Sequence, residues 1–281
     1  MIQTEFRGMG TDIVVIANDG READSVVEWF GFAESVFSRF LADSELTTLN
    51  GSARSDVAVS APMADCLSVA QTLRIQTEGL VDPAVGGALI GWGYDTTFEQ
   101  VADRGERPPT VDLGTWSIAG RTVTRRPGIR LDLGGIAKGW ACDQAVARNL
   151  AGVVSAGGDV RSAHPDTVVV IEDPWGATAA RILLGVGGLA TSSTTRRRWN
   201  VAGEEAHHII DPRTMRPATT PIYSATVMAA TAAEAEAGAK AVLLHGADGL
   251  AWAEKQRWID AALVVWRDGS VYATTGWEMA A

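Results

Sequence analysis

The chain has 281 residues, 46% of them hydrophobic and 21% charged, enough to bury the core of one large domain or of two closely packed halves. Its formal net charge of −10 at pH 7 excludes a general nucleic-acid binder, which needs a basic face. Two cysteines, Cys66 and Cys142, are too few and too isolated for a disulfide framework or a zinc site.

The opening MIQTEFRGMGTDIVVIA lacks the basic start and apolar run of a signal peptide. No stretch approaches the length of a membrane span, so the sequence reads as that of a cytoplasmic protein. Thr11 to Ala17 is a β-branched run and predicts a strand, entered through Met9-Gly10. Arg21 to about Arg39 carries Val26, Val27, Phe30, Ala33, Val36 and Phe37 on one helical face. The polar cluster that follows, through Asn50, reads as a solvated loop or as a set of ligand-holding hydroxyls and amides. Ser60 caps a second helix with Pro62 in its first turn, running to about Glu78 and stopped by Gly79. Asp82-Pro83 and Gly86-Gly87 predict irregular backbone, with Trp92 and Tyr94 as core or pocket wall. Arg104 to Thr110 reads as a surface loop.

From Trp116 the pattern turns β-rich, with strands predicted over 116–118, 122–124 and 129–133. Leu131 to Asp143 then bends through Gly134-Gly135 into a helix from about Ile136 to Leu150, with Cys142 packing as a small hydrophobe. Asp132 precedes the bend and Lys138 follows it by one turn. Such a corner offers close backbone approach and free N–H groups to an anion. It matches neither the Walker nor the Rossmann spacing, and an ordinary strand–turn–helix corner is the plain alternative. Strands are predicted at 153–156, before a second glycine pair and Asp159, and at 168–172, 180–184 and 189–191. Thr231 to His245 is an alanine-rich helix, and 261–266 with 270–274 form a terminal hairpin around Asp268-Gly269.

Three constellations carry possible chemistry. Glycine pairs at Gly86, Gly134 and Gly157 suit a large phosphorylated ligand, or simply connect short strands. His208, three residues before Asp211, reads as a structural residue or, with the carboxylate within reach, as a base tuned to take a proton near neutral pH. Arg196, Arg197 and Arg198 form the one compact basic run, a solvated face or a phosphate contact. Glu236 and Lys240 fall four apart on the alanine-rich helix, where a surface pair contributes about 0.3 kcal/mol.

In chain order, Met9-Gly10-Thr11, SELTTLN (44–50), VDPAVG (81–86), LDLGGIAKG (131–139), SAGGD (155–159), ATSS (190–193), HHIIDPRT (207–214) and SATVMAATAAEAEAGAKA (224–241) together resemble the ApbE family of FAD:protein FMN transferases. The resemblance implies an α+β fold over residues 1–281, T-fold-related, with mixed sheets, packed helices and an FAD cleft between two halves. It implies cleavage of FAD, attachment of FMN through a phosphoester to a Thr or Ser hydroxyl of an acceptor flavoprotein, and release of AMP. By match to the family pattern, Met9, Glu45, Leu46, Thr47, Asp82, Asp132, Lys138 and Ile222 line the FAD site, and His208, with Asp211, is the base. A magnesium ion is implied on the pyrophosphate, held by the Gly135 carbonyl and by an Asp and a Thr of the late helix. Those two helix positions are Glu236 and Lys240 here, and an ammonium cannot ligate a metal. The ion is then held by fewer ligands, or replaced by the Lys240 ammonium, or lost. An FAD pyrophosphatase and a flavin-binding protein without transferase activity are the alternatives to transfer.

Overall fold

A computed structural model describes residues 1–106, 108–173 and 175–277. The chain is α+β and divides into two compact units. One comprises residues 1–31, 138–195 and 219–281; the other comprises residues 32–137 and 196–218.

The first unit is built on an eight-stranded sheet in the order Ile2–Gly8, Thr11–Ala17, Val153–Ala156, Asp159–Ser162, Gly187–Ser193, Ile222–Ala229, Ile259–Trp266 and Val271–Ala273. Every neighbouring pair is antiparallel. Its edge strand Ile2–Gly8 alternates exposed Gln3, Glu5 and Arg7 with half-buried Thr4, Phe6 and Gly8, and none of its residues is fully buried. It pairs in full register with Thr11–Ala17 around a two-residue turn. Met9 and Gly10 both take positive φ there, 49° and 69°, the backbone that lets a tight hairpin follow the strand twist. The alanine-rich helix Ala232–His245 packs on the strands Gly187–Ser193 and Ile222–Ala229. Thr231 and Glu234 close a reciprocal capping box at its start, which satisfies two of the otherwise orphaned N–H groups. Its residues 235–239 and 241–243 are all buried, so this helix has no polar face to speak of.

In the second unit a three-stranded antiparallel sheet, Asp56–Ala58, Thr122–Arg125 and Trp116–Ala119, accompanies the helix Ala61–Gln76, which Ser60 caps as expected. Three expectations need correction. The SELTTLN segment is a helix, Glu45–Gly51, because Ser44 accepts the Thr47 N–H and Leu46 and Leu49 are buried. VDPAVGGALIG is largely helical, a short 3-10 turn Pro83–Val85 followed by a helix Gly86–Gly91. No strand forms over 129–133. There the Asn50 side chain takes the place of a neighbouring strand, accepting the Leu131 N–H and donating to its carbonyl, both at 2.8 Å. Trp92 and Tyr94 belong to a buried cluster with Leu89, Trp199 and Ile210. Arg107, in the predicted surface loop, lies outside the described residues. Among the described residues no helix is long and apolar enough to cross a membrane.

Candidate functional site

The stretch LDLGGIAKG runs from the second unit into the first, with the division after Ala137. In the second unit Gly86 lets the backbone at Arg130 and Leu131 come close, since a Cβ at that glycine would stand 2.6 Å from the Arg130 carbonyl oxygen. Leu131 is pinned by Asn50, and Asp132 comes next. One oxygen of Asp132 accepts the Gly134 N–H at 2.9 Å, and the other meets Arg39 Nε at 2.5 Å. The Arg39 guanidinium lies over the rings of Phe40 and Tyr94, 4.1 and 4.6 Å from their centroids. Its Nη2 is buried without a hydrogen-bond partner among the described residues. Arg39, Thr47, Asn50, Asp95 and Arg130 line one depression. Burial pushes the Tyr94 hydroxyl pKa up.

Other residues expected at the FAD site are placed in this unit as follows. The Glu45 carboxylate accepts from the Ser60 N–H at 2.6 Å and its hydroxyl at 2.5 Å. Leu46 is fully buried. Thr47 donates to the Leu41 carbonyl at 2.8 Å. Asp82 is buried, accepting from Ala84 and Trp116 at 2.8 Å each and pairing with Arg74 at 2.8 Å. Of this set Thr47 lines the depression, whereas the side chains of Glu45, Leu46 and Asp82 are taken up within the fold.

The adjacent histidines separate into two environments. His207 is buried; its Nδ1 accepts the Ile209 N–H at 3.3 Å, so Nε2 carries the proton and donates to the Ala218 carbonyl at 3.0 Å. His208 follows, half-buried, in the bend before the short strand Ile210–Asp211. Asp211 holds the Arg213 guanidinium through both oxygens, at 2.7 to 3.2 Å. In the basic run, Arg196 is exposed, Arg197 donates to the Tyr94 hydroxyl at 3.4 Å and Arg198 pairs with Glu205.

In the first unit Lys138 opens its helix beside the alanine-rich one. Gly139 has no room for a side chain, since a Cβ would stand 2.8 Å from the backbone of Ala232 and Ala233. That approach brings the Lys138 ammonium within 2.8 Å of both Asp159 Oδ2 and Glu236 Oε1. The Lys240 ammonium lies 3.1 Å from the same Glu236 oxygen. Glu236 is 3% exposed, which corrects the expectation of a solvent-facing pair: the i,i+4 pairing is real, but it sits inside. Burial disfavours charge on Glu236, yet the two ammonium groups outweigh it and hold its pKa down. Burial and the neighbouring Glu236 push Asp159 up against the pull of Lys138. Lys138 is desolvated, but its two carboxylates more than offset that and keep it charged. Ile222 is a buried strand residue, and Met9 holds the hairpin tip. Cys142 is buried, as its packing role predicts, and burial with the neighbouring acidic groups pushes its thiol pKa well up.

The implied magnesium does not fit these residues. The ion demands near-octahedral oxygen ligation, and position 240 supplies an ammonium with no lone pair, already bound to the one acidic ligand of the helix. Among the described residues no three or more His, Cys, Asp or Glu side chains are grouped to hold a metal.

Two residues central to this geometry, Arg39 and Asp159, were given no site role by the sequence. Asp159 carried a signal, its place after a glycine pair. The signal at Arg39 was fainter: a cation followed at once by an aromatic, where the helical periodicity ends.

The sequence model of the ApbE family matches residues 9–263. A protein of Rhodobacter capsulatus named FAD:protein FMN transferase is 34% identical over 257 residues, 83% of this chain, and the chain spans about half of its length (48%). The Escherichia coli K12 protein of the same name is 26% identical over 240 residues, 76% of this chain and 68% of its own. Among solved structures, the ApbE protein of Thermotoga maritima superposes with a TM-score of 0.85 at 26% identity, covering 98% of this chain and 97% of that one. The flavin transferase ApbE of Vibrio cholerae superposes with a TM-score of 0.81 at 26% identity and the same coverage.

Proposed function

The chain belongs to the ApbE family, and from that premise we propose that it is an FAD:protein FMN transferase acting on a Thr or Ser hydroxyl of an acceptor flavoprotein. The hydroxyl oxygen attacks the phosphorus on the FMN side of the FAD diphosphate. The bond from that phosphorus to the bridging oxygen breaks, and AMP leaves with the electron pair. His208 takes the hydroxyl proton, so that the nucleophile carries negative charge as the new phosphoester forms. Cationic side chains and N–H groups at the bend after Asp132 neutralise charge spreading over the phosphoryl oxygens.

The observation that carries the catalytic part is the separation of the two histidines. His207 is buried and committed to backbone at both ring nitrogens, whereas His208 is half-exposed in the bend before Asp211. A base must reach its substrate, and of the two only His208 meets that condition. The Asp211–Arg213 pair stiffens the turn that follows.

Incubation of the purified protein with FAD and a panel of acceptor domains tests the reading. Covalent flavin on one acceptor, in step with AMP release, is expected. AMP without labelled acceptor indicates water as the acceptor and a pyrophosphatase. FAD bound and intact with every acceptor refutes transfer. The His208→Ala variant should lose at least 100-fold in transfer while retaining FAD binding; undiminished transfer refutes the base assignment.

A further inference from the structure

We infer that the Lys240 ammonium stands in place of a divalent cation, so that Glu236, Lys138, Lys240 and Asp159 form a metal-independent charge site whose ammonium groups serve the FAD diphosphate. The inference rests on the transferase reading for the identity of the diphosphate, but the cluster itself is read from geometry alone.

The cluster holds two ammonium groups and two carboxylates. Lys138 bridges Asp159 and Glu236 at 2.8 Å each, and Lys240 reaches Glu236 at 3.1 Å. Both ammonium groups converge on one oxygen, Glu236 Oε1. A carboxylate that already accepts two cations at that distance has met the electrostatic demand that a metal would otherwise meet. Buried charges are tolerated only when paired, and here the pairing is complete without an ion. A divalent cation would leave the set with an excess of two positive charges unless an ammonium were expelled.

The cluster is also not sealed. The side chains of Lys138 and Lys240 keep 13% and 19% of their surface, against 4% and 5% for Asp159 and Glu236. The carboxylates are therefore inside, and what surface the cluster keeps lies mostly on the two lysine side chains. Glu236 Oε2 has no hydrogen-bond partner among the described residues, so the acid is held from one side by the lysines. A fixed ammonium offers a diphosphate point charge and three donors, the service a metal gives by coordination, without the metal's demand for oxygen ligands.

The test uses the full chain, with Mn²⁺ as the metal probe read by loss of the free-ion paramagnetic resonance signal. FAD affinity is read by flavin fluorescence in EDTA and in excess Mg²⁺. The wild type should bind no Mn²⁺ tighter than about 1 mM, and its FAD affinity should change less than about twofold between EDTA and Mg²⁺. Lys240→Thr, which replaces the ammonium by an oxygen ligand, should bind Mn²⁺ at least tenfold more tightly than the wild type, and its FAD affinity should become EDTA-sensitive. Lys240→Met, which keeps the stem and removes the charge, should lose FAD affinity about tenfold, with no rescue by Mg²⁺. A wild type that binds one Mn²⁺ tightly, or loses FAD tenfold in EDTA, overturns the inference. So does a Lys240→Met variant with unchanged FAD affinity. If Lys240→Thr does not fold, the wild-type and Lys240→Met titrations still decide. If the wild type binds no FAD at all, the transferase reading fails while the Mn²⁺ titrations continue to judge the cluster.

Discussion

Before the Gly134-Gly135 bend, Asp132 meets a single cation, Arg39, whose guanidinium rests on two aromatic faces. After it, Lys138 meets two carboxylates, one of which holds a second ammonium. The first arrangement is a pair with a spare donor at the edge of a depression. The second is a network in which four charged side chains share contacts. A pair with a spare donor can accept a ligand without losing its own contact, whereas a network of four responds as a whole when any one member changes. The residues read in sequence as two equivalent ligand contacts are thus a local device and a collective one.

The largest expected effect falls on the network. Glu236→Leu removes the carboxylate that both ammonium groups share and should destabilise the protein by about 3–5 kcal/mol, measured by chemical denaturation. A loss below about 1 kcal/mol would mean that the four groups do not act together. Asp143 gives the next effect, because it ties the same two helices by accepting the Ala232 and Ala233 N–H groups at 2.8 and 3.0 Å. Burial raises its pKa to about 6 despite those two hydrogen bonds. A folded-state value above the ordinary 3.8 means that the folded protein holds this proton more firmly than the unfolded chain. The stability so gained is complete below about pH 4 and is lost as the pH rises to about 6. At about 1.4 kcal/mol per pH unit the loss is roughly 3 kcal/mol. The difference in unfolding free energy between wild type and Asp143→Asn should therefore fall by up to that amount between pH 4 and pH 7; a flat difference would remove the linkage. Asp132→Asn should cost less, about 1–2 kcal/mol, since an amide still accepts from Arg39 and the aromatic faces remain. If it costs as much as Glu236→Leu, the contrast between pair and network is wrong.

The sequence made the capped helices and the hairpin-forming strands legible, because Ser60, the first helix's apolar face and the Asp268-Gly269 turn are local signals. It hid the features that depend on distant partners. Leu131 carries a strand-like pattern but its backbone is satisfied by the side chain of Asn50, 81 residues away in sequence. The alanine-rich helix concealed the depth of Glu236 because alanine gives no contrast between an inside and an outside face, so an interior ion pair looked like a surface one. The edge strand Ile2–Gly8 was not predicted although Thr4 and Phe6 alternate with exposed Gln3, Glu5 and Arg7; none of its residues is fully buried, so its inner face is only weakly apolar. For the candidate site, the motif positions were legible, but which of their side chains are taken up within the fold was not. Asp82 and Glu45 carry the same charge as Asp132, and only their neighbours tell them apart.

Met9 makes the hairpin tip a left-handed turn with a side chain where asparagine or glycine would sit more comfortably. Met9→Asn should raise stability by about 0.5–1 kcal/mol, seen as a higher melting temperature. Met9→Asn therefore separates backbone from side chain: a firmer hairpin with unchanged FAD affinity assigns the methionine no contact with the ligand, and a firmer hairpin with weakened affinity assigns it one.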